Sequence, residues 1–376
     1  MKKCIMISDS FKGTLSSIEI CQIAEKTIKD MFPDSQVIAI PIADGGEGTV
    51  TCFEKAIGAK IIKTTVNNPY NQKIIANYAK IGHKAIIEMA SAAGLPMVGQ
   101  NKNPELTSTY GVGEIISHEI NNGATEILLG LGGSATNDLG CGCAAALGVK
   151  FFDKNGQSFI PVGKTLKDIA NIDASKVKEY LKDIKITAMC DVKNPLYGEN
   201  GAACIFAPQK GADDEMVKRL DEGLKYASKI IEKELNIKDI VNIEGAGAAG
   251  GMGAGCIAFL GAKLKSGIES ILDIIEFDKL LENTDFVLTG EGRIDSQSVQ
   301  GKVISGIAKR TKAKNIPLIA LVGSIGDGAE QAYNLGVTAM FGIDRDASAF
   351  EQFADKSALY YEKTLIDILS VIKAKI

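Results

Sequence analysis

The chain has 376 residues, 45% of them apolar and 23% charged, with a net charge of −4. That is enough material for two domains with sizeable cores, and it excludes intrinsic disorder. No basic run is longer than two residues, so the sequence offers no local footprint for nucleic acid. In chain order, 4–7 reads as a short strand broken by Ser8-Asp9-Ser10. Ser16 and Glu19 have the spacing of a capping box. Ile20, Ile23, Ala24, Ile28 and Met31 then follow helical spacing up to Pro33. A second strand at 36–40 leads into a loop at 43–48 and a helix to about Ile57. From 61 to about 103 strand-like runs follow one another without helices, and Asp153-Lys154-Asn155-Gly156 predicts a hairpin turn. A strand-like run is expected at 204–206. Near the C-terminus strands at 286–288, 317–322 and 339–341 alternate with helices at 299–311 and 348–372.

Alternation of this kind at both ends implies a parallel sheet covered on both faces. The expected fold class is α/β: one domain built from 1–60 plus 266–376, with a mixed α/β domain inserted at 61–265. The eight cysteines include no Cys-x-x-Cys pair, and several sit in apolar runs, which points to buried thiols in a reducing compartment. Only two histidines occur, His83 and His118, too few for a His-rich metal site or a Ser-His-Asp triad. The apolar run at the N-terminus is four residues long, short of the roughly 7–15 of a signal peptide. The uncharged stretch 245–262 holds seven glycines and predicts a glycine-rich loop feeding a buried helix, not a membrane span. These features predict a cytoplasmic protein with no membrane partner.

In parallel sheets, ligands bind beyond the carboxyl ends of strands. The residues expected there are Asp9 and Ser10; Asp44 and Glu47; Ser134, Asn137 and Asp138; Asp191; and Glu291, Arg293 and Asp295. Acidic groups beside glycines and small hydroxyls suit a phosphate ester with a divalent cation. The run Gly130-Leu131-Gly132-Gly133-Ser134-Ala135-Thr136-Asn137-Asp138 lies between a strand at 126–129 and an Ala-rich helix. Its glycines let backbone N–H groups turn inward, and the helix start adds donors. A tight turn with a helix cap is the structural alternative. Gly130-x-Gly132-x-x-Ala135 matches the loose dinucleotide pattern but lacks its acidic partner about 20 residues on. Ser158-Phe159-Ile160-Pro161-Val162-Gly163-Lys164-Thr165 ends like a Walker A loop, yet Pro161 and bulky neighbours block the backbone cradle. The glycines at 245–255 suit either close approach to an anion or close packing. Lys210, in Pro208-Gln209-Lys210-Gly211, and Lys12, in Ser10-Phe11-Lys12-Gly13, could contact an anionic substrate or a phosphoryl group in transfer.

Seven motifs, in order along nearly the whole chain, resemble the bacterial glycerate kinases. They are Ser8-Asp9-Ser10-Phe11-Lys12, Ala43-Asp44-Gly45-Gly46-Glu47-Gly48-Thr49, the 130–138 run, Cys190-Asp191-Val192-Lys193-Asn194-Pro195-Leu196, Pro208-Gln209-Lys210-Gly211, the 245–253 run, and Thr289-Gly290-Glu291-Gly292-Arg293-Ile294-Asp295. The resemblance implies ATP-dependent phosphorylation of D-glycerate, with the 2-hydroxyl favoured. It also implies a Rossmann-like part and an active site between two domains. Within that frame Asp191 is the first candidate for the base and Asp44 the second, with Lys12 beside them on an anion. Ser10, Lys210 and Arg293 are assigned to substrate. Gly132, Gly133, Ser134 and Asn137, with Gly250, Gly251 and Gly253, are assigned to the nucleotide. Asp138, Glu291 and Asp295 are assigned to Mg²⁺. The expected partners are small molecules, and a homo-oligomer stays open. A nicotinamide or flavin oxidoreductase and a non-catalytic sugar-acid sensor are the alternatives.

Overall fold

The computed structural model describes residues 1–42, 49–296, 303–345 and 350–375. The chain forms two compact units. One comprises Met1–Asp44, Thr51–Gly58 and Ile268–Ile376; the other comprises Gly45–Val50 and Ala59–Gly267.

The first unit is built on five parallel strands. Their spatial order is Gln36–Pro41, Lys3–Ser8, Phe286–Gly290, Leu318–Val322 and Ala339–Gly342. Strands buried on both faces read as continuous apolar runs, and Phe286–Gly290 and Leu318–Val322 are buried throughout. Cys4, Met6, Phe286 and Leu288 pack with Ile20, Ala24 and Ile28 of helix Ser17–Met31 and with Tyr361 and Leu365 of helix Phe350–Lys375. Ile5, Ile7 and Val287, of opposite parity, are equally buried. The helix Ser17–Met31 starts where its capping box dictates: Ser16 accepts from the Glu19 amide, and the Glu19 carboxylate accepts from the Ser16 amide. Counted along the chain, the strand order is 2-1-3-4-5, a doubly wound arrangement. It reverses between Lys3–Ser8 and Phe286–Gly290, which pair in register at Ser8 and Gly290. The loops that begin at Asp9 and Glu291 therefore leave side by side from the switch point.

The second unit carries a six-stranded mixed sheet. Its order is Lys263–Lys265, Lys185–Met189, Glu126–Gly130, Lys84–Glu88, Lys73–Ile81 and Lys60–Asn67. The first four run parallel, and the last two are joined antiparallel. Glu88, Gly130, Met189 and Lys265 form one row across the carboxyl edge of the four parallel strands. A small antiparallel sheet of Ser158–Phe159, Lys150–Phe152 and Asn171–Asp173 includes the expected hairpin, closed by the Gly156 amide on the Asp153 carbonyl with Gly156 at φ 77°.

One expected element differs in type. The run at 204–206 is the end of a helix, Ala202–Phe206, not a strand. Short apolar runs do not distinguish the two by pattern, and Ala202-Ala203, both buried, favour the helix. All eight cysteines are free. No helix among the described residues is long and apolar enough to cross a membrane.

Candidate active site

In the second unit the chain leaves the strand Glu126–Gly130 and turns through Leu131–Asp138. Neighbouring backbone pins the turn on one flank: Leu95 N donates to Gly133 O and Ala135 N donates to Ala93 O, each at 2.8 Å. Thr107 Oγ1 donates to Ala135 O at 2.8 Å. Gly132 is half-buried, and Gly133 is exposed at φ 72°, a conformation that favours glycine. Ser134, Thr136, Asn137 and Asp138 are buried. The side-chain oxygen of Thr136 and both amide atoms of Asn137 have no hydrogen-bond partner. Each such atom costs about 1–3 kcal/mol, and orphaned groups of this kind mark places where a water or ligand completes the network.

Asp138 closes the turn from within. Its Oδ2 accepts from the amide and hydroxyl of Thr109, both at 2.8 Å, and from the Gly142 amide at 3.2 Å. Its Oδ1 accepts from the Gly140 amide at 3.2 Å. Burial pushes this carboxyl up while the four donors pull it down. The donors at the start of helix Cys141–Ala146, expected to face a phosphate, thus face Asp138 instead. Three of these donors crowd Oδ2 and one meets Oδ1, so the chain itself competes for the lone pairs that a metal ion would use.

Lys210 enters from the short turn Pro208–Lys210 and is 2% exposed. Its Nζ donates to Ser134 Oγ and to the Thr136 carbonyl, each at 2.7 Å. Burial pushes the amine down to about 7, opposed by the nearby Asp138 charge. Asp191 stands at the next strand end, exposed, with Oδ1 accepting from Ser266 Oγ at 2.8 Å and the Gly267 amide at 2.9 Å.

The glycine-rich segment lies behind the loop. Helix Ala248–Leu260 is interrupted by left-handed residues Ala249, Gly250 and Gly251. A Cβ on Gly250 would lie 2.1 Å from Thr136 O, and one on Gly253 would lie 2.1 Å from Gly245 O. One on Gly251 would lie 3.0 Å from the Leu196 side chain and 3.1 Å from Leu139 Cα. Close packing accounts for all three glycines.

In the first unit, the Asp9 and Glu291 loops are stitched at the switch point. The Asp9 amide donates to Gly290 O at 3.0 Å, and the Asp9 carboxylate accepts from the Ser10 amide at 2.6 Å. Gly292 lets its loop lie against the Phe11–Lys12 backbone, where a Cβ would be 3.3 Å from Lys12 N. Phe11 is buried edge-on against Tyr361, which leaves Lys12 exposed at the loop's tip. Arg293 pairs with Asp295 at 3.4 Å, and Glu291 is buried. Asp44 and Glu47 lie outside the described residues.

The structure thus gathers Ser134, Thr136, Asn137, Asp138 and Lys210 around one turn, with Asp191 on the adjacent strand end. In the other unit it gathers Asp9, Ser10, Lys12, Glu291, Arg293 and Asp295. It adds residues the sequence did not flag. Glu88, buried at its strand end, accepts from the Val50 amide at 2.6 Å. The strand-end rule would have found it. Thr107, Ser108 and Thr109 form a buried hydroxyl run before helix Tyr110–Asn121, and nothing local tells that run apart from an ordinary helix start.

A family model described as the glycerate kinase family matches residues 4–373. A glycerate kinase from Bacillus cereus is 44% identical over 374 residues, covering 99% of this chain and 98% of the relative. The glycerate 2-kinase of Escherichia coli is 42% identical, covering 91% of this chain and 90% of its own. A crystal structure assigned to glycerate kinase 2 of Salmonella typhimurium LT2 superposes with a TM-score of 0.88 at 37% identity, over 100% of this chain and 99% of that one. The oxidoreductase and sensor alternatives fall with these matches, for the chain is a kinase and belongs to the glycerate kinase family.

Proposed function

We propose that this kinase transfers the γ-phosphoryl group of ATP to D-glycerate, at the 2-hydroxyl in preference. The observation that carries the reading is the register between Gly130 and Met189. It makes the glycine-rich turn and the Asp191 loop start from adjacent strand ends, which supports a nucleotide phosphate and a base at one sheet edge. The 2-hydroxyl is favoured because the Escherichia coli relative is a glycerate 2-kinase.

Gly132, Gly133 and Ser134, with Asn137, hold the nucleotide phosphates, and Gly250 supports that turn from behind, packed against the Thr136 carbonyl. Asp191 takes the proton of the attacking hydroxyl, held in orientation by Ser266 and Gly267. Asp44 is the second candidate. Ser10, Lys12 and Arg293 bind the glycerate carboxylate or the phosphoryl group in transfer. Mg²⁺ would neutralise charge on the phosphates. Among the described residues no three His, Cys, Asp or Glu side chains gather into a metal cage. Mg²⁺ needs none, because one or two carboxylates with phosphate oxygens and water suffice. Glu291 and Asp295 supply oxygen ligands of that type, whereas Asp138 already spends both oxygens on the chain. The free thiols, most of them buried, support a reducing, cytoplasmic setting.

The test is ADP release from ATP and Mg²⁺ on adding D-glycerate, with the product read by proton-coupled ³¹P spectroscopy. Phosphate on C2 couples to a single proton and gives a doublet; phosphate on C3 couples to two and gives a triplet. A doublet supports the reading, a triplet moves the reaction to the 3-hydroxyl, and no ADP overturns it.

A further inference from the structure

We propose that Lys210 is a positioning residue for the nucleotide: a buried strut whose amine holds Ser134 and Thr136 in the turn that presents the Gly132–Ser134 backbone to phosphate. This rests on the reading of that turn as the phosphate cradle.

Four observations converge. First, the amine is sealed from solvent, and its acceptors, Ser134 Oγ and the Thr136 carbonyl, both belong to the turn. No face of it is open to an incoming substrate. Second, both acceptors are neutral, and Lys210 makes no ion pair among the described residues. Two acceptors match the two N–H bonds of a neutral amine, and burial pushes the group toward that form. A buried lysine that makes no ion pair among the described residues, with only the nearby Asp138 charge to offset its burial, does not serve as a general electrostatic staple. Third, its base is rigid. Lys210 N donates to Ala207 O at 2.9 Å and Gly211 N to Pro208 O at 3.0 Å. Gly211 sits at φ 97°, where a Cβ would fall 2.7 Å from Lys102 O. Fourth, Asp138 consumes donors at the following helix start. Phosphate must then be met by the turn's own backbone, so the turn's shape decides affinity. Backbone from 93–95 and Thr107 hold one flank, and Lys210 ties Ser134 and Thr136 to the chain segment 208–211.

The experiment compares wild type with Lys210→Met in steady-state kinetics and by hydrogen exchange of the amides in 131–138. The expected result is a rise of about tenfold or more in KM for ATP, KM for glycerate within about twofold, and faster exchange confined to the turn. A rise in KM for glycerate alone would make Lys210 a substrate ligand, and unchanged exchange would show that it holds nothing; either overturns the proposal. If Lys210→Met does not fold, Ser134→Ala removes one acceptor, and its turn must exchange faster than wild type or the strut is refuted. Exchange needs no turnover, so wild type that releases no ADP with glycerate sinks the functional reading while leaving the strut to be judged on the exchange data.

Discussion

The amide and the hydroxyl of Thr109 both donate to one carboxylate oxygen of Asp138, each at 2.8 Å, across 29 positions of sequence. With the Gly140 and Gly142 amides this makes Asp138 an acceptor facing only donors. Asp138→Asn keeps the shape but turns an NH₂ toward N–H or O–H groups. We expect a loss of about 3 kcal/mol or more in urea unfolding. Wild-type stability would remove Asp138 from the role of keystone.

Lys210 makes stability depend on pH in a direction opposite to the usual gain of a salt-bridged lysine. Its amine has a pKa of about 7 in the fold and 10.5 in the unfolded chain. Between those values the unfolded chain binds a proton that the folded chain does not, so stability rises with pH. The contribution is complete above about pH 10.5 and is lost as pH falls through about 7. The unfolding free energy of wild type minus that of Lys210→Met should therefore climb from about pH 7 to about pH 10. A flat difference would mean that the amine titrates as in water.

Two glycines with similar backbone angles should respond very differently to alanine. Gly250 has φ 71° and a Cβ position 2.1 Å from Thr136 O, whereas Gly156 has φ 77° and nothing within 4 Å. Gly156→Ala meets only the left-handed penalty, about 1 kcal/mol. Gly250→Ala must also push the Thr136 carbonyl, the one Lys210 bonds, and should cost about 3 kcal/mol or more together with weakened ATP binding. Chemical denaturation and nucleotide titration of both variants measure the contrast. Equal losses would show that the contact relaxes freely.

Asp191→Asn retains a carbonyl oxygen for Ser266 and Gly267, so the fold should survive. With no carboxylate to take the hydroxyl proton, kcat should fall by about 10²–10⁴-fold with KM for ATP little changed. A variant turning over near the wild-type rate would pass the base to another residue, Asp44 first.

Local pattern was enough for much of this molecule. The Ser16–Glu19 box, the apolar runs that become buried parallel strands, and the Asp153–Gly156 turn are short-range features, governed by backbone hydrogen bonding and side-chain spacing within a few residues. The strand-end rule also marked the segments that carry Asp9, Ser134, Asp191 and Glu291. The seven ordered motifs identified the family. The run at 204–206 escaped because strand and helix bury a short apolar stretch equally well.

Partners distant in the chain were decided by the tertiary structure alone. Sequence spacing treats Lys210 and Asp138 as two polar residues near glycines. Folding seals both away from water, gives one of them four donors and the other two acceptors in a single turn, and leaves Glu88 at the same sheet edge. For Gly250 and Gly253 the fold puts Thr136 O and Gly245 O where a side chain would sit, which the run of glycines does not show by itself. The physical reason is common to all of these. Burial and hydrogen-bond saturation are properties of what surrounds an atom, and those surroundings are assembled from segments tens of residues apart.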